Sequence, residues 1–201
     1  NAIVTSAFTA IYRVGLQLAR ERASGTLSLM LATKTSISEI LISSAISTML
    51  LSFVSVVFGV SVLSLLLGLA WNGQRILEFV FILILAIFVA TCFGFFISCL
   101  ILLTTEIHLV TNTIDKVLLI FTGANFPVSN FPYLVEQFCY TLPLTRSILL
   151  AQKLIGGESV MSNIYLIRGE LVLAFVFLIL GIVLLKNLEK AAIKGSKLDL
   201  L

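Results

Sequence analysis

Residues 79–105 read Phe-Val-Phe-Ile-Leu-Ile-Leu-Ala-Ile-Phe-Val-Ala-Thr-Cys-Phe-Gly-Phe-Phe-Ile-Ser-Cys-Leu-Ile-Leu-Leu-Thr-Thr, 27 positions without Asp, Glu, Lys or Arg. A helix needs about 20 such residues to cross a hydrocarbon core about 30 Å thick. Further gaps separate Glu39 from Arg75, Lys116 from Glu136 and Glu170 from Lys186, with 35, 19 and 15 uncharged residues. Over all 201 residues, 59% are hydrophobic and 11% are charged, whereas a soluble domain carries about 25% charge. These figures exclude a soluble globular protein and predict an all-α polytopic membrane protein.

The orientation follows from the basic residues. Arg13, Arg20, Arg22 and Lys34 precede the first long run, and Lys186, Lys190, Lys194 and Lys197 follow the last. Loops rich in Lys and Arg stay in the cytoplasm, so both regions are expected there and the carboxyl terminus is cytoplasmic. The spans expected from the runs are 37–70, 76–104, 107–126 and 164–188, four complete crossings, with 189–201 as a cytoplasmic tail. Residues 1–19 hold too short an uncharged run, Asn1–Tyr12, to cross alone, since twelve residues rise about 18 Å as a helix. They are read as the end of a helix that begins further upstream.

Residues 127–163 are apolar yet contain all three prolines, Pro127, Pro132 and Pro143, with Gly156-Gly157 near the end. Proline lacks an N–H and interrupts a helix, so one straight span is excluded. Irregular backbone at membrane depth survives only against protein or water. Two short helices, about Tyr133–Thr141 and Leu144–Leu154, are therefore expected to fold back into the outer leaflet as a re-entrant pair. Arg168 and Glu170, at the start of the last run, are expected to face that pair or an aqueous vestibule.

Two polar patterns stand out within the membrane. His108, Asn112, Asp115, Lys116 and Thr122, with Gly123, fall in an arc of about 120° on the helix expected over 107–126. Ionisable groups in such segments face water or protein rather than lipid, so the stripe is a candidate lining for a translocation path. The competing reading has Asp115 and Lys116 snorkelling to the cytoplasmic interface. On the preceding helix Ala86, Ala90, Gly94 and Ser98 recur every four residues, a small-residue ridge suited to close helix packing.

Catalytic signatures are missing: His108 is the single histidine, Cys92, Cys99 and Cys139 have no metal or redox spacing, and no HExxH, G-x-S-x-G or P-loop occurs. No metal site, no cofactor in this chain and no nucleic-acid partner are expected. The cytoplasmic stretch 20–36 is more informative. Leu27, Met30 and Leu31 lie at helical spacing while Arg20, Glu21, Arg22 and Ser24 stay polar, as in a short amphipathic helix at a membrane surface.

Glu21-Arg22-Ala23-Ser24-Gly25-Thr26-Leu27 resembles the E-R-x-x-G-T-L loop of type-2 ATP-binding-cassette (ABC) exporter permeases. Phe126-Pro127-Val128-Ser129-Asn130-Phe131-Pro132 and Leu142-Pro143-Leu144-Thr145 are similar to that family's paired external motifs, with Leu142 where Asn is usual. The tail Lys194-Gly195-Ser196-Lys197-Leu198-Asp199-Leu200 looks like those of drug-exporter-like members. The resemblance implies a six-helix transmembrane domain of which the first helix and part of the second are absent here. It also implies a multi-pass protein of a prokaryotic cell membrane, pairing with a second permease subunit and with two copies of an ABC ATPase that bind ATP and Mg. Arg20, Glu21, Arg22, Gly25, Thr26 and Leu27 would then form the helix that couples to the ATPase, and the external pair would close the outer end of the path. An apolar cavity leans toward hydrophobic drugs, lipids or peptides as substrate. A proton-coupled secondary transporter using Glu106, His108 and Asp115, and a non-transporting scaffold or immunity protein, are the rival readings.

Overall fold

Two long helices, α1 (Ile37–Leu67) and α2 (Gly73–Ile101), open the part of the chain that the computed structural model describes, residues 37–67, 73–101, 103–104 and 107–194. They are followed by α3 (Ile107–Phe121), a 3-10 turn (Val128–Asn130), α4 (Tyr133–Cys139), α5 (Thr145–Ile155), a second 3-10 turn (Val160–Asn163) and α6 (Ile164–Lys194). The described residues contain no β-strand. Every backbone polar group inside a bilayer needs an internal partner, and α-helices meet that requirement within each segment.

The centre is α2. In its span 72% of residues are buried, against 22% in the α1 span and 17% in the α6 span, so α1 and α6 are the flanking elements. Lipid is as apolar as leucine, so tight packing rather than hydrophobicity must hold such helices together. The small residues of α2 serve that need: Ala86, Ala90, Gly94 and Ser98 are all buried within this chain. The approach of α6 is close at Gly181, where an added Cβ would lie 2.6 Å from Phe95 Cδ1 and 3.3 Å from the Phe96 Cα.

Polarity is inverted on α1. Ser44, Thr48, Ser52 and Val56 form the buried line at four-residue spacing, while Ile42, Ile46, Leu50, Val54 and Phe58 are exposed. A helix facing lipid on one side and protein on the other is expected to place its small polar residues inward. Hydroxyls within α2 are satisfied by their own helix: Thr91 donates to the Ile87 carbonyl at 2.7 Å and Ser98 to the Gly94 carbonyl at 2.7 Å.

The helix α3 packs through Val110, Ile114 and Leu118 against Phe93, Ile97 and Ile101 of α2. It ends at Phe121, five residues before the Phe126 that the proline rule predicts. The stop is made earlier. Thr122 turns back on the helix, its hydroxyl donating to the Leu118 carbonyl at 2.6 Å, and Gly123 takes φ +84°. At 15 residues the helix is only about 22 Å long. Three helices among the described residues, α1, α2 and α6, are long and apolar enough to cross a membrane.

Candidate functional site

The segment between α3 and α6 is a hairpin in chain order, two short helices joined by a tight turn, of which α5 packs against α2 and α6. Pro127 caps the first 3-10 turn and Pro132 caps α4, where fixed φ values near −60° suit helix entry. Phe121 of α3 packs at a tilt against Phe131 and meets Phe138 edge-on, with ring centroids 5.6 and 5.8 Å apart. Gln152 of α5 donates to the Gly123 carbonyl at 3.1 Å, so the hairpin is also tied to the end of α3.

Its joint, Tyr140–Leu144, is the most constrained part. Leu144 has φ +75° and ψ −20°, making it the N-cap of α5 in a left-handed conformation that bulky residues avoid. It is fully buried. Such a conformation persists only where surrounding contacts determine it, and here Glu170 of α6 provides them. Glu170 Oε1 accepts from the Leu144 N–H at 2.7 Å and from the Ser147 hydroxyl at 3.1 Å. The carboxylate thus sits on the first turn of α5, where unpaired N–H groups and the helix dipole favour an anion. Thr145 Oγ1 completes the joint by donating to the Cys139 carbonyl at 2.7 Å.

Arg146 crosses the same place. Its guanidinium lies 5.7 Å from the centroid of the Tyr140 ring, within cation–π range. Its Nε would be 2.6 Å from a Cβ on Gly169, so a glycine beside Glu170 makes room for the arginine. Among the described residues Glu170 Oε2 and Arg146 Nη1 are buried without a hydrogen-bond partner. Burial also pushes the Cys139 thiol and the Tyr140 phenol up from their ordinary values, so both stay protonated at neutral pH.

Farther out, Lys153 Nζ donates to Glu158 Oε2 at 3.2 Å and to Asn163 Oδ1 at 2.9 Å, and Asn163 Nδ2 donates to Glu158 Oε2 at 2.9 Å. The Asn163 hydrogen bond, then Lys153, holds the Glu158 carboxyl below its usual range, and the hydrogen bond to Glu158 raises Lys153.

The structure brings Pro143 and Glu170 to one joint, with Pro127 and Pro132 exposed on the outside of the hairpin and Arg168 exposed on α6. Of the polar stripe on α3, Asn112 and Lys116 are exposed and Asp115 is half-buried. Thr122 is buried beyond the end of the helix, its hydroxyl bonded to the Leu118 carbonyl. His108 belongs to α3, but its side chain lies outside the described residues, as do Arg20, Glu21, Arg22, Gly25, Thr26 and Leu27. Leu144 lies in the Leu142–Thr145 motif, but its N–H and the Ser147 hydroxyl carry no mark in the sequence as partners of Glu170. The signal for Ser147 was a small hydroxyl two residues after Pro-Leu-Thr, and nothing local marked its partner.

Long apolar helices around a buried centre define a polytopic helical membrane protein. The chain belongs to the ABC-2 type transporter family, whose family model matches residues 1–154. It is therefore a membrane permease component of an ABC transporter, a class that works with an ABC ATPase. No curated protein matches the chain, and no solved structure does.

Proposed function

We propose that this chain is the permease subunit of an ATP-driven exporter in a prokaryotic plasma membrane, with its carboxyl terminus in the cytoplasm. It forms the translocation path with a second permease subunit, identical or related, and two separate ATPase subunits bind and hydrolyse ATP with Mg. The chain itself holds no nucleotide site and does no chemistry. Residues 20–36 are the coupling helix: Arg20, Glu21 and Arg22 offer charge-assisted contacts to the ATPase, and Gly25 permits a close approach. The exposed Asn112 and Lys116, with Asp115 and His108, face the path, and the hairpin over 127–163 closes its outer end. Hydrophobic drugs, lipids or peptides are the substrates.

The observation that carries this reading is the family match over residues 1–154, because it takes in the Glu21-Arg22 loop as well as the hairpin up to α5. The test is co-purification with the ATPase subunit and reconstitution into liposomes. Reversing both charges, Glu21→Arg with Arg22→Glu, should leave the ATPase able to hydrolyse ATP on its own but abolish ATP-dependent transport. Undiminished transport by the double variant would overturn the coupling role.

A further inference from the structure

We propose that Glu170 is the positioning residue of the external joint, and that it acts as a hydrogen-bond acceptor through one oxygen rather than as a charge. The inference rests on the reading of the hairpin as the outer closure of the path. Glu170 is fully buried, six positions into α6, about 9 Å along the helix. A carboxyl placed there in a membrane protein needs a specific partner. Its hydrogen bonds go to the hairpin, from the Leu144 N–H and the Ser147 hydroxyl to the same oxygen, and Arg146 on that turn adds its charge and its backbone N–H nearby.

The division of labour between the two oxygens decides the mechanism. Oε1 makes both hydrogen bonds to the turn, whereas Oε2 has no hydrogen-bond partner among the described residues. A neutral amide that offers its oxygen at the Oε1 position therefore keeps the whole anchor. A shorter carboxylate keeps the charge but retracts the acceptor by one methylene. Because Leu144 is held at φ +75°, losing the acceptor releases a conformation that the residue does not adopt by itself. The joint then opens where Thr145 is bound to the Cys139 carbonyl. In consequence α5 and α6 travel together, and the outer end opens only by movement of that pair or by loss of this anchor.

Cys139 is a built-in reporter, since it is fully buried at the joint while the other two cysteines lie in α2. The experiment is maleimide labelling of the protein in lipid nanodiscs, where reagent reaches both faces, with modification at Cys139 read by mass spectrometry of its peptide. Glu170→Ala and Glu170→Asp should label about tenfold faster than the unmodified protein, the size expected when two buried hydrogen bonds are lost together. Glu170→Gln should stay within about threefold. If the Ala and Asp variants fail to fold, Ser147→Ala, which leaves Glu170 in place, should label several-fold faster through loss of one of the two bonds.

Protection of Cys139 in all of the Ala, Asp and Ser147 variants overturns the proposal. Labelling of the Gln variant as fast as the Ala variant overturns it as well, by making charge the operative property. The labelling is measured without nucleotide. A failure of the exporter reading would appear separately, as absence of ATP-dependent transport by the unmodified protein.

Discussion

Glu78 Oε2 accepts a hydrogen bond from the Val160 N–H at 3.2 Å, joining the first turns of α2 to the 3-10 turn that precedes α6, across 82 residues of chain. Its other oxygen, Oε1, accepts from Gln74 Nε2 at 3.2 Å, one helical turn away. One carboxylate thus fixes the end of α2 nearest the hairpin against the entry to the last helix. Replacing Glu78 by Ala leaves the part-buried Val160 N–H without its protein partner. The expected loss is about 1 kcal/mol of stability, seen as a lower midpoint in thermal unfolding in detergent, with Glu78→Gln recovering most of it.

Gly123 and Gly157 both have positive φ, +84° and +97°, but their surroundings differ. An alanine Cβ at 123 would lie 2.8 Å from Val128 Cγ2, whereas nothing stands within 4 Å of one at 157. Gly157→Ala should lose about 1 kcal/mol from backbone conformation alone. Gly123→Ala adds a clash and should lose about 2–3 kcal/mol. Equal unfolding midpoints for the two variants would contradict the packing of the 3-10 turn onto the end of α3.

The contact between α2 and α6 allows a similar comparison. Gly181→Ala pushes a methyl group into Phe95 and toward the Phe96 backbone, while Gly59→Ala in α1 meets open space. The first should lower the unfolding midpoint and reduce the yield of folded protein. The second should leave both unchanged or slightly raised, since alanine favours a helix by about 1 kcal/mol over glycine.

The Lys153–Glu158–Asn163 cluster predicts a pH window. Glu158 is held below its ordinary 4.5, so its contribution is present above that value and is lost as the pH falls through the lower, folded value. Lys153 is held above its ordinary 10.5, so its contribution is present below that value and is lost as the pH rises through the higher one. Thermal unfolding should therefore show this cluster's contribution flat from about pH 5 to about pH 10. The difference between the unmodified protein and Glu158→Gln should shrink toward zero in acid, and it should be small throughout because the pair is exposed.

Much of the fold is written locally. The 27 uncharged residues 79–105 mark the core helix because a buried membrane helix needs only length and apolarity, and three prolines in 127–143 break the next segment by their missing N–H groups. The end of α3 is different. Gly123 reads as one more position on the polar arc of a helix running to 126, and its left-handed turn becomes necessary only once Val128 folds back against it. The α1 stripe of Ser44, Thr48 and Ser52 was present in the sequence at four-residue spacing, but inward polarity is meaningful only when the outside is known to be lipid. Within the candidate site, the prolines and the presence of Glu170 were legible. Its partners were not, because the Leu144 N–H and the Ser147 hydroxyl lie 26 and 23 residues away and no periodicity connects them.

The left-handed Leu144 also imposes an order of events during synthesis. The chain is made from its amino end, so the joint emerges 26 residues before the carboxyl group that holds it. At roughly 5–20 residues per second that is an interval of about one to five seconds. During it the hairpin has its helices, its prolines and its tie to Gly123, but Leu144 lacks the acceptor that fixes its conformation. The ribosome thus delivers the unlocked joint first and the fastener afterwards. Insertion of the last helix is then the step that fixes the conformation of that joint.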